Sequence, residues 1–116
     1  MRDSASPPSH DECDVVEIRT TFGSRERAEA CAERLVRERF AACAQVEGPL
    51  RSTYRWQAAV ERAEEWRCTC KTAPSRAIAC LEAITAGHDY ELPETLVTRS
   101  TATAAYAAWV RSSVAD

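Results

Sequence analysis

The feature that most restricts what this chain can fold into is a repeated change of hydrophobic period. Segments whose apolar residues alternate every second position give way to segments where they recur every third and fourth. Asp14–Thr21 (DVVEIRTT) alternates and is rich in β-branched residues. Ser24–Phe40 carries Ala28, Cys31, Ala32, Leu35, Val36 and Phe40 at helical spacing, with Ser24 as the cap and Glu26 in the first turn. Ala41–Glu47 reads as a short strand closed by a Gly48-Pro49 turn. Leu50–Gln57 and Val60–Thr72 read as two further strand runs, separated by a weak break at Ala58-Ala59. Pro74 and Ser75 open a second helix, carried by Ile78, Leu81 and Ile84 and ended by Gly87. Thr95–Arg99 is a strand, and Tyr106, Trp109 and Val110 mark a last helix capped by Thr101 or Thr103.

This order predicts an α+β, ferredoxin-like β-α-β β-α-β sandwich. It has one antiparallel sheet, two main helices on one of its faces, a long hairpin between its second and third strands, and a C-terminal helix. A chain of 116 residues fits a single domain, placed here at 13–116, after a polar tail at 1–12 expected to be disordered. Ser52, Tyr54 and Trp56 share one face of their strand, and Trp66, Cys68 and Cys70 share one face of the next. Tyr54, Trp56 and Trp66 are too apolar for a sheet face left to water, so the helix-free face is expected to be buried by self-association.

The totals narrow the function. The net charge is -3 and no run of five Lys or Arg occurs, which argues against nucleic acid or a membrane surface as partner. No apolar stretch nears the roughly 20 residues of a membrane span, and the N-terminus has no apolar core of a secretory signal, so a cytoplasmic protein is expected. The six cysteines are then expected to be reduced. Cys68-Thr69-Cys70 places two thiols on one side of a strand; this is either a soft-metal pair or two small core residues, the second being the plainer reading. The chain has only 3 Gly and no Gly-rich phosphate loop, CxxC or HExxH, and neither His10 nor His88 can be tied to a nucleophile. It is expected not to be an enzyme.

The densest chemistry lies in His88-Asp89-Tyr90-Glu91-Leu92-Pro93-Glu94, where imidazole and carboxylates could ligate a divalent metal. Glu94 either binds a metal or cationic group, or pairs with a nearby Arg. If Arg19 and Lys71 meet Glu94 in one cleft, two cations and one anion would suit a carboxylate or phosphate ligand; the alternative is an internal ion-pair network. Tyr54 and Trp56 could flank such a ligand, or form interface core.

Five separated signatures make the chain resemble the CutA family of divalent-cation tolerance proteins. They are Glu38-Arg39-Phe40-Ala41-Ala42-Cys43-Ala44, Ser52-x-Tyr54-x-Trp56, Lys71-Thr72, His88-x-Tyr90-Glu91-x-Pro93-Glu94 and Tyr106-x-x-Trp109-Val110, spread over about Val15–Val110. The resemblance implies a homotrimer with a cleft between subunits. Its function would be metal-ion response, with copper as the bound ion, or, alternatively, PII-like signalling through a small anionic ligand. Two ligand positions proposed for copper in the family fall here on Arg19 and Gly87. That leaves Glu94, and His88 next to Gly87, as metal ligands, and Arg19, Lys71, Tyr54 and Trp56 as cleft residues. A glycine common in the family after the tryptophan is here Ala58.

Overall fold

The computed structural model describes residues 10–115. Its elements are α1 (His10–Cys13), β1 (Asp14–Phe22), α2 (Arg25–Arg37), β2 (Cys43–Trp56), β3 (Ala59–Thr72), α3 (Ala77–Ala86), β4 (Leu96–Thr101) and α4 (Ala104–Val114). The four strands form one antiparallel sheet in the order β2-β3-β1-β4, the ferredoxin-like arrangement. Residues 1–9 of the expected tail lie outside the described residues. His10, Asp11 and Glu12 are part of α1, where Arg111 of α4 donates to the Glu12 carbonyl at 2.7 Å, so helical structure begins before residue 13.

Val16, Ile18 and Phe22 of β1, with Cys68 and Cys70 of β3, face Ala28, Cys31 and Leu35 of α2 and Cys80 and Ile84 of α3. Both main helices therefore cover one face of the sheet. The opposite parity of β1 puts Val15 against Ala107, Val110 and Val114, so α4 covers one end of the other face.

The helix α2 stops short of the predicted Phe40, and the stop is local. Ser24 accepts from the Arg27 amide as N-cap. At the other end Arg39 takes a left-handed φ of 63°, its amide bonds to the Val36 carbonyl, and the Phe40 amide bonds to the Leu35 carbonyl. That is the double bond pattern of a left-handed helix stop, normally built on glycine. Arg39 holds the conformation by donating to the Ala115 carbonyl and accepting from Arg76.

Gly48-Pro49 is not a turn. The strand β2 runs unbroken for 14 residues, and the pair forms a bulge within it: Glu47 opposes Arg67, and Leu50 already opposes Glu65. One extra residue shifts the alternation of everything beyond it. Val46 faces the helices with Cys68, whereas Tyr54 and Trp56 take the side of Glu61 and Glu65. Trp66 has the parity of Cys68 and packs on the helix-side core. The expected grouping of Trp66 with Tyr54 and Trp56 on the free face is thus wrong, because the bulge separates their parities. Beyond Phe22, which opposes Trp66, the outer hairpin Leu50–Glu65 has no third strand among the described residues.

Candidate functional site

Where β1 ends and the hairpin continues, the loop between α3 and β4 folds back and closes a cavity of about 780 Å³. One wall is the outer hairpin, through Ser52, Tyr54, Trp56 and Glu65. The other is the loop Asp89–Glu94, with Thr21 at the base. The bulge is what delivers the hairpin side chains here, since without its extra residue Tyr54 and Trp56 would point to the opposite face.

The loop is held by His88. Its ring lies parallel to Phe22, with centroids 4.2 Å apart, and its side chain is fully enclosed. The Tyr90 amide donates to Nδ1 at 3.0 Å, so Nδ1 is the acceptor and Nε2 carries the hydrogen that goes to the Thr21 carbonyl at 2.9 Å. Both nitrogens are committed to backbone, and His88 is not part of the cavity wall. The expectation of a metal ligand at His88 is not met by this geometry: the one lone pair of the imidazole already accepts from the Tyr90 amide, and the ring works as a loop anchor.

Glu65, Asp89, Glu91 and Glu94 line the cavity, with no Lys, Arg or His among the lining residues. Two of the four have other attachments. Glu65 accepts from the Tyr90 hydroxyl at 2.9 Å, and burial together with this carboxylate pushes the phenol pKa up. Asp89 pairs with Arg27 at 3.5 Å. Glu94 is different: its Oε2 is enclosed and has no hydrogen-bond partner. Among the described residues, no three His, Cys, Asp or Glu side chains converge closely enough to enclose a metal ion. The donor set is all oxygen and incomplete, which fits a divalent cation keeping part of its water shell and does not fit a closed protein cage.

Arg19 and Lys71 do share a face, diagonally across β1 and β3, but it is the open face of the sheet, outside the cavity. Arg19 pairs with Glu17 at 3.4 Å and reaches Thr98, and Lys71 donates to Gln45 at 3.0 Å. Within one chain these two cations do not meet Glu94; they take part in a polar network on that face, in the manner of the ion-pair alternative. The cavity residues missed from sequence are Thr21, Thr53 and Glu65. Only the register shift at Gly48-Pro49 would have revealed Glu65, and it reads locally as a turn.

Comparison with known proteins places these features in context. The sequence model of the CutA1 divalent ion tolerance protein family matches residues 16–113. A probable divalent-cation tolerance protein cutA homolog of Encephalitozoon cuniculi is 34% identical over 100 residues, covering 85% of this chain and 87% of that protein. Among solved structures, CutA from Xylella fastidiosa superposes with a TM-score of 0.83 at 31% identity, covering 87% of this chain and 98% of that one. The divalent cation tolerance protein from Thermus thermophilus gives 0.82 at 30% identity, covering 87% and 99%.

Proposed function

Because this chain belongs to the CutA1 divalent ion tolerance family, we propose that it is a binding protein, without catalysis of its own, that takes up divalent cations beside Glu94. The observation that carries this reading is the enclosed, unpartnered Glu94 Oε2 in a cavity lined by three further carboxylates. A buried acceptor left unpaired costs roughly 1–3 kcal/mol, and a cation next to Glu94 relieves that cost while neutralising its acidic neighbours. Tyr54, Trp56 and Tyr90 add aromatic surface that restricts water around the ion. Copper as the cargo rests on the family resemblance, since carboxylate oxygens alone also suit Mg²⁺, Ca²⁺ or Mn²⁺.

The working form we propose is a homotrimer in the cytoplasm. The outer hairpin is a two-stranded ribbon, which is marginal by itself, and Leu96 and Val97 stand exposed on the edge strand β4. Neighbouring copies would cover both; the count of three rests on the family. All six cysteines are free, which suits a reducing compartment.

The test is a titration of Cu²⁺, Zn²⁺ and Mg²⁺ followed by tryptophan fluorescence, with Trp56 as the reporter in the cavity wall. Saturable quenching that is lost in Glu94→Gln supports the reading. An unchanged Cu²⁺ affinity in Glu94→Gln would defeat it. Saturation by phosphate or a nucleotide that weakens in Arg19→Ala would move the site to the open sheet face.

A further inference from the structure

Four of the six cysteines meet in the layer between the sheet and the two main helices. Cys68 and Cys70 project from β3, Cys31 from α2 and Cys80 from α3, and all four belong to one buried cluster. Two of them are in direct contact. Cys70 Sγ lies 3.6 Å from Cys80 Sγ, and Cys31 and Cys68 pack in the same cluster. Thr20 of β1 stands opposite Cys68, and its Oγ1 is enclosed without a hydrogen-bond partner. A hydroxyl able to hold a small polar molecule therefore faces the same layer.

We propose that Cys70 and Cys80 are a redox site, converted by hydroperoxides into an intramolecular disulfide that ties α3 to the central strand β3. The sulfurs already touch, and rotation of the two side chains brings them toward the S–S distance of about 2.0 Å. Their roles differ. The two sulfurs share a hydrogen bond in which either can donate; with Cys70 as the donor the Cys80 pKa falls against the effect of burial, and Arg76 and Arg34 favour its thiolate further. Cys70 is pushed the other way, first by donating that bond and then by burial.

We assign the nucleophile to Cys80, the thiol on which Arg76 and Arg34 act. Its thiolate attacks one peroxide oxygen, the O–O bond breaks, and the departing hydroxide takes the Cys70 proton to leave as water, giving a sulfenic acid on Cys80 and a thiolate on Cys70. The Cys70 thiolate then attacks the Cys80 sulfur, the S–O bond breaks, and the hydroxide released takes a solvent proton, replacing the one that Cys80 had already lost. In sum a dithiol and hydrogen peroxide yield a disulfide and two waters. Both sulfurs are fully enclosed, so the oxidant enters through local opening of α3, and reaction is slow compared with that of an exposed thiol. The loop that lines the cavity starts where α3 ends, so the bond would fix the helix from which that loop departs.

The full chain is exposed to hydrogen peroxide, quenched with an alkylating agent in denaturant, digested with trypsin and mapped by fragmentation mass spectrometry. The expected product joins Cys70, in the peptide Cys68–Lys71, to Cys80, with loss of two hydrogens and recovery on adding a thiol reductant. Cys70→Ala should abolish it and Cys68→Ala should leave it in place. Full alkylation of all six thiols, over-oxidation without a cross-link, or a bond from Cys80 to another cysteine would overturn the proposal, and mapping the unsubstituted chain decides this even if a variant fails to fold.

Discussion

Replacing Gly48 by Ala tests the link between the bulge and the cavity. A Cβ built at Gly48 falls 2.5 Å from Cδ1 and 2.8 Å from Cγ of Trp66, and 3.0 Å from the Glu65 carbonyl oxygen, at a φ of +154°. The ring cannot simply swing away, because it packs on the helix-side core. Overpacking of this kind costs about 1–3 kcal/mol, and a residue other than glycine in such a conformation costs about 1–3 kcal/mol more. The sum, roughly 2–6 kcal/mol, is a large part of the roughly 5–15 kcal/mol that stabilises an ordinary domain. Urea denaturation followed by circular dichroism should show the midpoint falling accordingly. Gly87→Ala is the control, since Gly87 has an ordinary φ of -97° and its added Cβ meets the flexible end of Arg34 at 2.8 Å; it should stay within about 1 kcal/mol. If the Trp66 contact is the cause, Gly48→Ala combined with Trp66→Ala should be less destabilised than the sum of the single changes by about 1 kcal/mol or more. Additivity within experimental error, or a Gly48→Ala chain as stable as the Gly87→Ala control, would refute the reasoning.

Other expectations follow from the same geometry. His88→Ala should destabilise the metal-free chain by about 2–4 kcal/mol, because it removes the stacking on Phe22 and leaves the Thr21 carbonyl and Tyr90 amide without their partner; a chain of unchanged stability would show that His88 is not the loop anchor. Tyr90 has a pKa raised by burial and by the Glu65 carboxylate, so the folded state holds the proton more tightly than the unfolded one. Its contribution is fully present below about pH 10, the unfolded value, and is lost as pH rises above it. The stability of the unsubstituted chain should therefore fall more steeply there than that of Tyr90→Phe, and parallel curves would contradict this. If copies cover the outer hairpin and the β4 edge, the melting temperature should drop on dilution, with analytical ultracentrifugation following the assembly; a concentration-independent monomer would remove the trimer from the proposal.

The periodicities of Ser24–Phe40 and of the strand runs made the order of elements and the ferredoxin-like class legible without coordinates, because burial of one face writes itself into residue spacing. The five signatures made the family legible, and one stretch, His88–Glu94, contains the loop that lines the cavity. What was not legible depended on distant partners. The imidazole of His88 has the same formula whether it ligates a metal or bonds to the Thr21 carbonyl, and only the placement of β1 beside the loop decides between them.

Gly48-Pro49 is a turn signal in one dimension and a bulge in three, because the facing strand β3 continues past it and keeps β2 in register. By itself, then, the sequence determined the type and order of the main strands and helices, since that depends on neighbours a few positions away, but not α1 or the continuity of β2. The tertiary structure alone decided which face Tyr54, Trp56 and Trp66 occupy and which carboxylates surround Glu94. A side chain's direction on a long strand is set by every inserted residue between it and the core, and the cost of each insertion is fixed by the strand across from it.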